Sequence, residues 1–398
     1  MKTKRTQVLV AGGGPVGSVA AAYLAGQGID VILAEAGSEA ALDLRASTFH
    51  PPTLEMLETL GITDHLMANG LKAPVYQWRD RRSGEFLSFD LTEIADVTKY
   101  PFRLQCEQSH LAQGLASRLS SRDGAEVLVN HRVTWMDQDA DGVDVMLETP
   151  TDVMKVRADY VIGADGANSI IRKRLGVEFD GFTYPESFLC LSTKQEIRDE
   201  IPDLAHVNYI SDPNEWLVLL RVPRFWRVLV PANEENPAEL LSEEKKSAVF
   251  GGFLADGEAV RTEHSTIYRV HQRVAKNFRV GRALLAGDAA HLNNPLGGFG
   301  MNSGIHDAFN LCEKLVRVIR GEPEELLDLY DRQRRKVTHD FTQQQTIRNM
   351  EMMRHGQGEM HERRRAEMQA LIENDEARRT YLLRQAMFCS LADAAAID

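Results

Sequence analysis

Residues 7–35 read QVLVAGGGPVGSVAAAYLAGQGIDVILAE. Gln7 to Ala11 is a short apolar run that reads as a buried strand. Gly12, Gly14 and Gly17 follow with the spacing G-x-G-x-x-G. Ser18 to Ala25 is a run of small, helix-compatible residues, and Gly28 is placed to end it. Val31 to Ala34 is a second apolar strand, with Glu35 at its tip, 18 residues after Gly17. Strand, glycine turn, helix, strand and terminal acid are together the context that a dinucleotide fingerprint requires. Gly12 permits the tight turn, Gly14 lets backbone approach a pyrophosphate, and Gly17 lets helix and strand pack closely. Unpaired N–H groups at the helix start offer partial positive charge to phosphates. Glu35 is placed to accept hydrogen bonds from a ribose diol. The motif alone does not separate nicotinamide from flavin dinucleotides.

The chain around this stretch has 398 residues. At roughly 150 residues per domain that predicts two to three domains. Its 43% hydrophobic and 26% charged residues are those of an ordinary globular protein and exclude a disordered, collagen-like or disulfide-scaffold chain. Asp and Glu outnumber Lys and Arg by 58 to 46, giving a net charge of -12. Phosphate recognition needs a basic face, so no nucleic-acid partner is expected. No run approaches the ~18 apolar residues of a membrane span. Met1 to Thr6 is basic and precedes an apolar run, but Gly12-Gly13-Gly14-Pro15 breaks that run at once, so no signal peptide is read and a cytoplasmic protein is expected. Cys106, Cys190, Cys312 and Cys389 lie far apart with no metal or redox spacing, and are read as reduced thiols. His339, His355 and His361 are scattered, so no metal site is read.

Two further motifs lie far along the chain. Asp159 to Gly176 reads DYVIGADGANSIIRKRLG: a strand end, a tight turn at Gly163-Ala164-Asp165-Gly166, and a short helix that Ser169 is placed to cap. Arg172 and Arg174 bring cations that would suit a diphosphate. Gly281 to Leu315 reads GRALLAGDAAHLNNPLGGFGMNSGIHDAFNLCEKL. Here a short strand delivers Asp288 to its tip, Pro295 to Gly300 is a glycine-rich loop, and a long amphipathic helix begins near Met301. Its free N–H groups would favour an anion on the loop.

These three segments, in this order, resemble the single-component FAD-dependent aromatic hydroxylases, the para-hydroxybenzoate hydroxylase-like flavoprotein monooxygenases. The resemblance runs from residue 7 to about residue 320. It implies FAD as cofactor, NADH or NADPH as a transient reductant, molecular oxygen as co-substrate, and a small aromatic substrate. Gly12, Gly14, Gly17 and Glu35 would hold the ADP half, and Arg45 would lie near the pyrophosphate. Asp165 belongs to the D-G motif associated with the pyrophosphates. Gln105 would lie along the sugar chain and Asp288 would bind the ribityl hydroxyls. Pro295 and the backbone from Gly297 through Gly298, Gly300 and Met301 to Asn302 would border the flavin ring. A flavin C4a-hydroperoxide would hydroxylate an electron-rich ring, hydroxylated or aminated. Alternatives on the same scaffold are a halogenase, a reductase, or a non-catalytic FAD-fold binding protein. The W-x-W-x-I-P segment of the halogenases is missing, since Trp216 begins WLVLLRVP.

Short alternating runs at Val207 to Ile210, Trp216 to Val222 and Arg227 to Val230 predict an antiparallel sheet outside the nucleotide domain. The expected fold is α/β: a Rossmann-like FAD-binding domain interleaved with an antiparallel-sheet substrate domain and a helical C-terminal region. The expected divisions are 1–73, 104–183 and 281–320 for FAD, 74–103 and 184–280 for substrate, and 321–398 for the helices. Within the sheet, alternation puts Val207 and Tyr209 on one face and His206 and Asn208 on the other. Tyr209 is placed like the family's substrate-touching tyrosine. Arg221 is a candidate anchor for an anionic substrate, and His206 completes the catalytic candidates; His271 and His291 are further possibilities. Long helices are expected over 324–345 and 359–387, with a break at 355–358. No membrane partner is expected, and a monomer or homodimer is.

Overall fold

The computed structural model describes residues 2–40, 47–212, 215–232, 236–354 and 359–398. Its first sheet is centred on the strand Lys2–Ala11, which pairs in parallel with Val31–Ala34 on one side and Val153–Gly163 on the other. Ala125–Leu128 extends one edge in parallel, and Ala283–Leu285 pairs in parallel with Val161–Gly163 on the other. Val8 to Ala11 are fully buried, as befits a parallel strand covered on both faces. The helix Pro15–Gly26 starts with proline, whose missing N–H costs nothing there. It packs on the 21-residue helix Phe299–Ile319. An antiparallel pair, Arg132–Asp139 and Gly142–Glu148, pairs onto the outer part of Val153–Gly163.

The second sheet has eight strands, and their order interleaves distant parts of the chain. From one edge it runs His291–Leu292, His264–Ala275, Phe179–Thr193, Trp226–Ala232, Leu217–Arg221, Val207–Ser211, Val75–Asp80 and Phe86–Asp90. It departs from the expected all-antiparallel pattern at one place: Val207–Ser211 and Val75–Asp80 are parallel. The strand Phe179–Thr193 runs through residue 184, where a division was expected.

Alternation gives this sheet two apolar faces. Leu217, Leu219, Trp226, Val228 and Val230 pack with Leu240, Val249 and Phe250 of the helices behind it. Tyr76, Trp78, Cys190, Val207, Tyr209, Val218 and Leu229 face the other way, with Leu296, Met350, Met353 and Leu382. Val207 and Tyr209 thus share a face, while Asn208 is buried on the opposite one, bonded to Ala205. A small third sheet, Thr48–Phe49, Arg103–Gln105 and Leu71–Ala73, joins the two large ones.

The C-terminal region is helical in more pieces than expected. Glu325–Val337 passes through a wide π-type turn, Thr338–Gln343, into Gln344–Arg354. The expected helix over 359–387 is divided into Glu359–Glu373 and Asp375–Gln385, because the Asn374 side chain leaves the helix and caps the next one through Ala377 N–H. Among the described residues no helix is long and apolar enough to cross a membrane.

Candidate cofactor and substrate site

The glycine turn shows why each glycine stands where it does. Gly12 has φ +101°, and a Cβ there would sit 2.3 Å from the Ala164 carbonyl oxygen. A Cβ on Gly17 would sit 1.9 Å from the Gly12 carbonyl oxygen, so only glycine lets helix and turn meet. Gly14 differs: its backbone is extended and a Cβ would meet nothing within 4 Å. It therefore borders open space at a helix start that no side chain caps. Glu35 closes the turn from the neighbouring strand, its carboxylate accepting from Gly13 N–H and Gly37 N–H, both at 2.6 Å. Arg45 lies outside the described residues.

The D-G turn is built around Asp165. Its carboxylate accepts from the Ser169 hydroxyl at 2.5 Å and from the backbone N–H groups of Ile170 and Ile171. Ser169 in turn caps Arg172 N–H. Arg172 is buried, donates to the carbonyls of Ala167 and Ala289, and lies over the Phe179 ring. It ties the D-G and G-D turns together instead of presenting a free cation.

In the G-D segment, Ala283 to Gly287 are buried and Asp288 emerges exposed at the strand end. A charge triad holds this turn from beneath. Asp307 accepts from Gly287 N–H, His291 Nε2 and Arg334 Nε, the last at 2.6 Å, and all three side chains are buried. Burial opposes ionisation of Asp307, but the Arg334 charge and the hydrogen bonds from His291 and Arg334 outweigh it and hold the carboxyl far below its ordinary range.

Pro295 opens the glycine loop, and Gly298, at φ +71°, starts the long helix without a side-chain cap. The helix begins at Phe299, two residues before the expected Met301. Gly300 and Met301 lie half-buried in its first turn. Asn302 pins that turn to the small sheet: its oxygen accepts from His50 N–H and its amide donates to the carbonyls of Thr48 and Gly298. His50 Nε2 lies 2.8 Å from the Gly297 carbonyl, which can only accept, so the proton sits on Nε2 and Nδ1 remains a lone pair without a partner. Burial, then the Arg103 charge, holds His50 well below the ordinary imidazole range.

Gln105 is fully buried on the middle strand of the small sheet. Its oxygen accepts from Thr48 Oγ1, and its Nε2 has no partner. Two residues earlier on the same face, Arg103 is 1% exposed, donates to Tyr209 Oη at 3.2 Å, and lies 4.2 Å over the Tyr76 ring. Tyr209 also stacks on Trp78 at 4.6 Å. Further along, both Glu107 carboxylate oxygens accept from Nη2 of buried Arg227 at 2.7 Å.

Of the catalytic candidates, the structure brings only Tyr209 into this cluster. Arg221 lies on the other sheet face, 3.5 Å from Glu196, bonded to the Val222 carbonyl and near the Trp226 ring. His206 bonds the Lys72 carbonyl and has Arg198, Arg221 and Glu196 for charged neighbours; burial lowers its pKa. His271 bonds Thr183, and His291 belongs to the Asp307 triad. Sequence reasoning missed His50, Arg103 and the Arg227–Glu107 pair. Arg103 carried a usable signal, since strand alternation places it beside Gln105.

The residues present fit FAD. Gly14 leaves the room a diphosphate needs, the helices Pro15–Gly26 and Phe299–Ile319 start without side-chain caps, Gln105 has a buried amide nitrogen without a partner, and Asp288 is exposed at the end of a buried turn.

Residues 5–345 match the family described as FAD binding domain. The chain is 32% identical over 354 residues to para-nitrophenol 4-monooxygenase of a Pseudomonas species, covering 87% of each chain. The chain belongs to the FAD-dependent aromatic monooxygenases. It is also 30% identical to 6-hydroxy-3-succinoylpyridine 3-monooxygenase of Pseudomonas putida, over 88% of this chain and 90% of that one. The crystal structure of p-nitrophenol 4-monooxygenase from Pseudomonas putida superposes with a TM-score of 0.91 at 31% identity, covering 97% of this chain and 99% of that one. This protein is an FAD-dependent monooxygenase of the aromatic hydroxylase class, with the α/β fold described above.

Proposed function

We propose that this monooxygenase hydroxylates a small electron-rich aromatic or heteroaromatic ring, consuming NADH or NADPH and O2. In the balanced reaction one oxygen atom enters the ring, the other leaves as water, and the nicotinamide is oxidised. FAD, when bound, supplies the redox and oxygen-transfer chemistry. The chain supplies position, dryness and charge. The observation that carries the proposal is the small sheet: Gln105 and Arg103 share one face of one strand, so the groups assigned to the cofactor run directly into the Tyr209 cluster of the second sheet. An apolar wall of Trp78, Val218 and Leu229 excludes water there. The relatives named above act, by their names, on a nitrophenol and a hydroxypyridine, which supports a hydroxylated or related ring and does not favour a halogenase or reductase.

In this reading residues 1–73, 104–183 and 281–320 serve the cofactor and 74–103 and 184–280 the substrate. Gly12, Gly14, Gly17 and Glu35 take the ADP half, Gln105 and Asp288 the sugar chain, and Pro295 to Asn302 the flavin ring. The uncapped start of Phe299–Ile319 favours negative charge on that ring. The test is flavin reduction without oxygen, by NADH or NADPH, with and without a panel of phenols, anilines and hydroxypyridines. Bleaching accelerated by one aromatic class is expected; reduction indifferent to every aromatic would refute substrate-controlled hydroxylation.

A further inference from the structure

Arg103 is a buried charge without a counter-charge. Among the described residues no carboxylate lies within ion-pair distance of it, and the next acid along the chain, Glu107, is occupied on both oxygens by Arg227. Burying an unpaired charge is costly, and a guanidinium does not escape the cost by losing its proton. Its surroundings offer it a phenol oxygen, an aromatic face, and no anion.

Further N–H donors without partners lie beside that charge. Arg103 Nε and Gln105 Nε2 are buried donors without partners. The Tyr76 hydroxyl and Trp78 indole N–H lie near the Tyr381 hydroxyl but reach no hydrogen-bond geometry with it. Tyr209 already accepts from Arg103, so its own proton is left to donate outward. The site is therefore rich in donors and carries a positive charge.

We propose that Arg103 and Tyr209 form a subsite that takes an anionic oxygen substituent of the ring and rejects a ring amine. This rests on the aromatic-substrate reading above and narrows it, from hydroxylated or aminated rings to rings bearing a phenolate or carboxylate oxygen. An amine carries no negative charge and would leave the guanidinium unpaired. An anionic oxygen would satisfy Arg103 and accept the Tyr209 proton in one contact. Arg103 is then a specificity-determining residue, and it also fixes the direction in which Tyr209 donates.

The experiment measures dissociation constants by perturbation of the bound flavin's absorbance. FAD-loaded protein would be titrated with 4-nitrophenol, at a pH where it is ionised, with 4-nitrobenzoate, and with 4-nitroaniline. At least one anion should bind roughly 10- to 100-fold more tightly than the amine, the ratio equivalent to a hydrogen bond to a charged group. The tighter anion distinguishes phenolate from carboxylate. Arg103→Met should collapse the ratio toward one, and Arg103→Lys should restore part of it, with flavin content confirming the fold. Amine binding within about threefold of both anions in the wild-type protein would overturn the assignment while leaving aromatic hydroxylation standing, and that arm needs no variant. An unchanged ratio in folded, FAD-loaded Arg103→Met would overturn it equally. If no aromatic ligand perturbs the flavin, the aromatic-substrate reading fails and this subsite with it.

Discussion

Replacing glycine by alanine at two positions three residues apart should have opposite consequences. At Gly17 the added methyl carbon would stand 1.9 Å from the Gly12 carbonyl oxygen and 3.3 Å from the Ala164 side chain. The first of these is backbone in a turn that is itself wedged against Ala164, so nothing flexible can yield. The helix Pro15–Gly26 must move off the central strand, at the roughly 1–3 kcal/mol typical of overpacking or more. At Gly14 the same carbon meets nothing within 4 Å, and the backbone, at φ −69° and ψ −178°, suits alanine. Gly14→Ala should destabilise the apoprotein by no more than about 1 kcal/mol, the loss typical of alanine at a helix N-cap. It should nevertheless weaken FAD binding tenfold or more, because the methyl occupies the space a pyrophosphate needs, and tenfold is about 1.4 kcal/mol. Urea unfolding of the two apoproteins reads the first quantity and quenching of flavin fluorescence on titration reads the second. A Gly14→Ala protein that binds FAD like wild type would refute the placement of the diphosphate on this turn. A Gly17→Ala protein of undiminished stability would refute the packing argument.

Stability should also fall in acid through the buried histidines. His306 is held at about 3 by burial and the Arg334 charge, against an ordinary 6.5, so the unfolded chain takes up a proton that the folded one refuses. Its contribution is complete above pH 6.5 and declines toward pH 3 by about 1.4 kcal/mol per unit, with His50 acting in the same direction; urea midpoints at pH 7 and 5 should differ less in His306→Gln than in wild type. Asp307→Asn leaves Arg334 as a buried uncompensated charge and should cost about 3–5 kcal/mol in denaturant unfolding; a loss under 1 kcal/mol would contradict the triad's role. Arg221→Ala should leave aromatic binding to the FAD-loaded protein within about twofold, since its side chain serves Glu196 and Trp226 on the far face, and a tenfold loss would return it to the substrate site.

The nucleotide half was legible because its signals are local. A covered parallel strand needs an unbroken apolar run such as Val8 to Ala11, and Gly12, Gly14 and Gly17 have spacing set by a single turn. The substrate half was legible only as alternation. Alternation correctly paired Val207 with Tyr209, but it carries no information about which face meets the cofactor. That depends on Val75–Asp80 lying parallel to Val207–Ser211, a pairing across more than 120 residues with no local signature. Arg221 therefore read as an anchor although it lies on the face opposite Tyr209, while Arg103, in the unremarkable RLQ, is the buried charge beside Tyr209. The Asn374 cap was equally hidden, one polar residue in a polar helical stretch.

Transfer of one atom of O2 to an aromatic ring held at the Arg103–Tyr209 cluster beside FAD is the reaction proposed for this chain. It is tested most directly by turning over FAD-loaded protein with NADH or NADPH, oxygen-18 gas and the phenols that accelerate flavin reduction, and weighing the products. A hydroxylated product carrying one heavy oxygen atom on the ring is expected. Consumption of nicotinamide and oxygen with hydrogen peroxide as the only oxygen product, for every aromatic that binds, would contradict it.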